Sequence, residues 1–406
     1  MKDKSFKSIL LGTTIFCVCF ASISAGATTV DLNSKGVTSM LGVVSAIQTD
    51  IQQGKQGQSY TYNLPSSATT DAIIDQGLLD DINNGVAPFY PIEGPVKLTV
   101  TGNPSHKQVI QGTTAIKGTA DSKGKLTLNN VGSFTANTDD YKNITEESIA
   151  GHLENITNYL KTNNATVKSN DGAAVHLIDA DLEVNGSVFA FSDTSTATNI
   201  SESGAAIFMQ KEKGTATPQA VIKGSTFAFN KTNDNGAAIN ADGVNMNISD
   251  KTTFVGNTAA GHGGAIDIAG SLTIDGSNEK TNSFYNNSAN TGGAIFVHEN
   301  TTLNSTSNIY ESNKATANNG GAIQNSGTLN STKDAFMSNQ AAQSGGAISN
   351  SQSSYTDIKG VNHQYAAGTA YHSSQTFLWK AADNQQCHKD DIYTGGNGPG
   401  IYITAV

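Results

Sequence analysis

Arginine is missing from this chain: its 24 basic residues are all lysine, set against 34 Asp and Glu for a net charge of −10. With no arginine and no long basic run, there is little to grip a phosphate backbone, which argues against nucleic acid as a partner. Cysteine is nearly missing too. Cys17 and Cys19 fall before Ala27 and only Cys387 lies beyond it, so the exported chain expected below has no internal disulfide. Charged residues make up only 14% and apolar residues only 37%. Asn, Ser, Thr and Gly fill the difference. That is the composition of a thin solenoid with many turns, whose surface-to-volume ratio stays high however long it grows.

The first residues read as an export signal. Lys2, Lys4 and Lys7 precede an apolar run from Ile9 to Ile23, and Ala25-Gly26-Ala27 follows. A basic start, a short apolar core and an A-x-A site predict cleavage after Ala27. The run is short and is broken by Gly12, Thr13 and Thr14, which argues against a membrane anchor.

What is abundant is one phrase, written five times between Phe227 and Ile348: an aromatic, two variable residues and Asn, then a Gly-Ala-Ile step. Phe227 and Asn230 precede Gly236-Ala237-Ala238-Ile239, and Phe254 and Asn257 precede Gly263-Gly264-Ala265-Ile266. Phe284 and Asn287 go with Gly292-Gly293-Ala294-Ile295, Tyr310 and Asn313 with Gly320-Gly321-Ala322-Ile323, and Phe336 and Asn339 with Gly345-Gly346-Ala347-Ile348. Looser copies end at Val175 and Ile207, and the closing residues of the seven steps are 32, 32, 27, 29, 28 and 25 apart. A recurrence in this range marks a solenoid or a propeller. Propeller blades need four antiparallel strands and about 40 residues or more, so these units are too short.

Between the motifs lie only short apolar runs such as Leu272-Thr273-Ile274. Alternate residues of a strand share a face, which puts Ile266 with Ile268, and Leu272 with Ile274, toward one interior. Three such strands with turns take about 25 residues, and coils stack at about 4.8 Å. The predicted fold is all-β: a right-handed parallel β-helix with an N-terminal mixed α/β capping region. Right-handedness follows the general rule for crossovers between parallel strands. The glycines are assigned to a positive-φ turn or a close backbone approach, and Ile and the aromatic to the interior. Asn is assigned to a left-handed corner and to amide ladders between coils. About eight coils predict a shaft of roughly 40 Å.

The domain reading is a signal peptide at 1–27, an N-terminal cap or irregular early coils at 28–170, and β-helix repeats at 171–406. Within 28–170, apolar spacing predicts helices over 37–51, 70–82 and 145–160, and alternation predicts strands at 96–100 and 125–128. After Ile348 the pattern decays. Gly395-Gly396 and Ile401 resemble the step of one more coil. The stretch from Ser349 to Val406 is too short for a transmembrane barrel of eight strands, and an uncapped C-terminal coil invites self-association.

Chemistry-bearing clusters are sparse. Asp179 with Asp181, taken as two residues of one strand, would share a face, and Asp267 stands near His262 in sequence; neither resembles the paired acids of a glycosidase site. His262 reads as a polar turn residue before Gly263-Gly264. Cys387, His388, Asp390 and Asp391, with His363 and His372 upstream, match no standard zinc spacing. No catalytic, cofactor or metal site is expected.

The coupling of aromatic-x-x-Asn with Gly-Gly-Ala-Ile resembles the polymorphic membrane proteins, autotransporter-type surface adhesins of chlamydiae and their relatives. The resemblance covers about residues 172–348. It implies a β-helical passenger displayed at the outer membrane or secreted, contacting surface molecules of host or neighbouring cells, with the motif residues named above from Phe254 to Ile348 taking part. Copies ending at 175, 207 and 239 carry one glycine rather than two, and Tyr310 replaces Phe. The leading expectation is a non-enzymatic exported adhesin. A carbohydrate-active β-helix and a self-assembling structural protein are the alternatives.

Overall fold

Short strands, mostly of two to six residues and broken by Asn, Ser, Thr and Gly, give each repeat three directions. In the computed structural model these wind into a parallel β-helix of about eight turns. The structure describes residues 29–38, 40–55, 58–64, 89–102, 108–111, 113–134, 173–195, 204–212, 216–277, 280–351, 355–359, 362–364 and 401–403. Its strands form sheets of 19, nine and five.

Among the inward columns of the largest sheet are two spelled almost wholly by apolar residues. In one, Val175, Ile207, Ile239, Ile266, Ile295, Ile323 and Ile348 stand in register, each paired with its counterpart one coil on. The strand Ile401–Ile403 pairs in parallel with Ile348–Asn350, with Ile401 opposite Ile348. In the other, Tyr60, Leu98, Leu126, Leu182, Ala220, Met246, Leu272, Leu303 and Leu329 follow one another. All these side chains from Tyr60 to Ile348 are buried, and each fully buried Ile or Leu contributes roughly 1.5–3 kcal/mol of gross transfer free energy.

The nine-stranded sheet carries the aromatic column. Phe189, Phe227, Phe254, Phe284, Tyr310 and Phe336 stack with ring centroids 4.7–5.0 Å apart and planes within 4–11°. That separation is the strand spacing itself, so stacking and sheet registry enforce one another. In the five-stranded sheet, Ala259, Ala289 and Ala315 are buried, small enough for the tight corner.

The corner conformation falls one residue earlier than the sequence suggests. Asn was expected to take the left-handed conformation, but the residue before it does: Phe229, Gly256, Asn286, Ser312 and Ser338 have φ of 53–63°. Asn is thereby freed to point inward. The first glycine of each Gly-Gly step also has positive φ, 58–71° at Gly263, Gly292, Gly320 and Gly345, as the turn assignment requires.

Toward the N-terminus the same sheet continues. Thr29–Asp31 pairs with Ser59–Asn63, that strand with Lys97–Thr101, and that one with Gly124–Asn129, all in parallel. The helix expected over 37–51 is Met40–Gln52. It buries Met40, Val43, Val44 and Ile47 in the same apolar core as Leu98 and Leu126. In its last turn Asp50 is held by Lys55 at 2.8 Å and Lys35 at 3.6 Å, and the Lys55 hydrogen bond keeps its carboxyl below the usual range. The helices expected at 70–82 and 145–160 lie outside the described residues. No described helix is long and apolar enough to cross a membrane.

Candidate functional site

The motif residues come together inside the coil. Asn257 donates from Nδ2 to the Phe227 carbonyl at 3.0 Å and to Asn287 Oδ1 at 2.9 Å, and its backbone N–H donates to the same Oδ1 at 3.1 Å. Asn230, Asn287 and Asn313 repeat the arrangement one coil on each time, and Asn339 closes the described run by donating to the Tyr310 carbonyl. An amide suits this place because it offers donors and an acceptor at once. The ladder satisfies the backbone groups that a corner would otherwise strand in the interior.

A second ladder was not anticipated from sequence. Two residues before each aromatic stand Ser187, Ser225, Thr252, Asn282, Asn308 and Asp334. The backbone N–H of Val131 donates to Ser187 Oγ, that of Ser187 to Ser225 Oγ, and that of Thr252 to Asn282 Oδ1. The Asn308 N–H donates to Asp334 Oδ1 at 2.8 Å. The rungs share a side-chain oxygen, not a residue type, and that is why repeat spelling alone does not reveal them.

With Ile, Ala, the aromatic and Asn turned inward, the outer wall is made by other residues. Lys231, Thr258, Ser288, Lys314 and Gln340 line one outward row in register. On the Leu strands, Asn304 and Asn330 lie side by side, Asn330 donating to Asn304 Oδ1 at 2.8 Å, and Ser271 likewise bonds Asn245. Tyr285, beside Phe284, is the large hydrophobic that stands exposed among the described residues, at 37%.

The acids singled out in the sequence do not form one centre. Asp179 and Asp181 were expected on one strand, sharing a face. Asp179 instead sits between strands with φ 48°, its Oδ1 accepting the Glu212 N–H. Asp181 lies in the following strand, Ala180–Asn185, ion-paired to Lys123 at 2.7 Å and accepting the Gln219 N–H at 2.8 Å. The break at Asp179 turns the chain between them. Cys387, His388, Asp390 and Asp391 lie outside the described residues, as does His372, and only the strand pairing of His363 is described.

His262 and Asp267, by contrast, do converge, and with a residue that sequence reading passed over: His298, from the next coil. Asp267 follows Ile266 on the strand and faces away from the Ile column, between Asn240 and Phe296. His298 Nε2 stands 3.0 and 3.2 Å from the two Asp267 oxygens, and Asn240 Nδ2 donates to Oδ2 at 3.2 Å. The His262 ring stacks on Phe296 with centroids 4.2 Å apart, and the Asn235 side chain fixes its backbone N–H at 2.7 Å. Burial pushes the Asp267 carboxyl up, against the pull of His298. The hydrogen bond to Asp267 in turn raises His298. The clue that sequence offered was spacing, since Asp267 and His298 stand one coil apart along the chain.

The Chlamydia polymorphic membrane protein repeat matches residues 251–269, which hold Phe254, Asn257 and Gly263 to Ile266. A probable outer membrane protein of Chlamydia pneumoniae, pmp8, is 39% identical over 126 residues, 29% of this chain and 12% of that protein. The chain therefore spans about an eighth of the length of the curated relative it matches. No solved structure matches the chain.

Proposed function

The chain belongs, by its repeats, with the polymorphic membrane proteins, and on that premise we propose that it is an exported, non-enzymatic, adhesin-like protein of the cell surface. Its shaft meets surface molecules of host or neighbouring cells. The observation that carries this reading is the inside-out division of labour in each coil. Phe254, Phe284, Tyr310, Phe336 and the four Gly-Gly-Ala-Ile isoleucines are at most 1% exposed, so the repeated residues build a stiff scaffold. Other residues between them, such as the Lys231, Thr258, Ser288, Lys314 and Gln340 row, face outward. The motif takes part in adhesion by holding these outer rows in register, and the contacts are made by Asn, Ser, Thr and Lys side chains spread along the wall. Such rows suit hydrogen bonding to a polar protein or glycan surface more than apolar docking.

The test has two arms. Antibody and protease are applied to intact native cells, and beads coated with the purified full chain are applied to host-cell monolayers. The expected result is labelling and shaving of the protein on whole cells, with bead attachment that soluble full chain competes away. Protection from protease until the envelope is opened, or attachment no greater than that of albumin-coated beads, overturns the proposal.

A further inference from the structure

Among the described residues one group of side chains has the chemistry and the convergence of a metal centre. We propose that His262, Asp267 and His298 bind a divalent transition-metal ion, with zinc as the type ion, between two adjacent coils on the outer side of the Ile column. Each residue offers one ligand atom, and these atoms lie within 4.8 Å of one another. Tetrahedral zinc has ligand bonds of about 2.0–2.2 Å, so the atoms need only draw in modestly. His298 has room to do so because its side chain is 41% exposed.

Four further features fit. His262 Nδ1 is buried and has no hydrogen-bond partner, a condition that folded proteins rarely leave without a reason. Asn240 holds the second oxygen of Asp267, the kind of outer contact that orients a metal-bound carboxylate. Phe296 clamps the His262 ring by stacking and meets His298 edge-on, centroids 4.8 Å apart. Asp234 and Asp242 add negative potential around Asp267 and His298 respectively, favouring a cation.

The donor set chooses the ion. Two imidazoles and one carboxylate are too few oxygens for calcium or magnesium, and the absence of thiolate from the trio disfavours copper(I) and iron–sulfur clusters. Three protein ligands leave the fourth position of a tetrahedron for water or for a donor from a partner surface. The competing explanation is an ordinary His298–Asp267 hydrogen bond, in which His262 has no share. The two differ in what happens when His262 alone is removed.

The experiment is calorimetric titration of the metal-free full chain with zinc chloride at neutral pH, on wild type and on His262→Ala, His298→Ala, Asn240→Ala and the double variant Cys387→Ala/His388→Ala. The proposal expects one zinc equivalent in wild type, lost in both single histidine variants and kept in the Cys387/His388 pair. Asn240→Ala should weaken binding by roughly 10-fold. Cobalt(II) added in place of zinc should give the intense visible bands of a tetrahedral site in wild type and none in His262→Ala. Circular dichroism melts of the metal-free variants check the fold; because His262 and His298 sit on separate coils, either one suffices if the other fails to fold. The proposal is overturned by a wild type that takes up no zinc, or by zinc uptake and cobalt bands that survive in a folded His262→Ala chain.

Discussion

Tyr310 and Ser305 are bonded hydroxyl to hydroxyl at 2.8 Å inside the coil. Tyr310 is the one departure from Phe among the five motif copies, and Ser305 stands in the inward column where the coil before has Ile274. The two exceptions explain each other: a phenol in a closed interior needs a partner, and the column supplies one. Burial raises the Tyr310 hydroxyl well above its ordinary pKa. Removing the partners should be unequal. In Tyr310→Phe, Ser305 keeps its bond from Asn308 Nδ2 at 3.0 Å, and the cost should stay within about 1 kcal/mol. In Ser305→Ala the phenol is stranded, and the cost should be about 1–3 kcal/mol. Urea unfolding midpoints of the two variants check the order.

Asp334 makes stability depend on acidity. It occupies a rung that Asn282 and Asn308 fill in earlier coils, accepts Ser331 Oγ at 2.6 Å, and is lifted by burial from 3.8 to about 6. A carboxyl whose folded pKa is raised binds its proton more tightly in the folded state. Its contribution is therefore full below about pH 3.8 and lost as pH rises through about 6. The difference is on the order of 3 kcal/mol. Asp334→Asn restores an amide rung and should abolish this slope, leaving the variant the more stable chain above about pH 7. Denaturant titrations between acidic and mildly alkaline pH decide it, and equal slopes in the two chains count against the assignment.

Asn287 is a middle rung whose amide makes four hydrogen bonds. It donates to the Phe254 carbonyl and Asn313 Oδ1, and accepts from the N–H and Nδ2 of Asn257. Asn287→Ala deletes all four and leaves their partners buried, so a loss of about 3–5 kcal/mol is expected. Amide hydrogen exchange should show the loosening first at Asn257 and Asn313, the neighbouring rungs.

Gly293 has no room for a side chain. A Cβ there would lie inside contact distance of the Gly321 carbonyl and the Lys314 backbone N–H. Gly293→Ala should therefore cost at least about 2–3 kcal/mol. The one-glycine copies behave differently: Ala237 occupies the same place natively and packs with Ala259 and Ala289. Ala237→Gly should cost only about 0.5–1 kcal/mol. Thermal melts of both rank the two sites.

The period, the inward Ile and aromatic columns and the amide ladder were legible because each is spelled by one residue type at a steady interval. The second ladder was not, since Ser, Thr, Asn and Asp all supply the same oxygen. Nor was the corner: positive φ at Phe229 or Ser312 is imposed by the turn against local preference. Met40, Leu41, Val44, Ile47 and Ile51 disclosed their helix by spacing, while the strands paired beneath it give little local sign of their partners. The trio of His262, Asp267 and His298 is invisible until Ile266 is laid against Ile295. Only that register brings two side chains from different coils to a hydrogen bond of 3.0 Å.

The Asn ladder has a sense of direction. From Asn230 to Asn313 each Nδ2 reaches toward the Oδ1 of the following coil and none toward that of the coil before. The dipoles thus add along the shaft, and each bond polarises the next. During folding, a newly laid coil therefore offers the next one an unsatisfied donor at a fixed place, with an aromatic face and an Ile beside it. Each coil is thereby a template for both neighbours, with a donor edge toward the C-terminus and an acceptor edge toward the N-terminus. The ladder holds although successive rungs stand 27, 30, 26 and 26 residues apart, so loop length between rungs leaves it undisturbed.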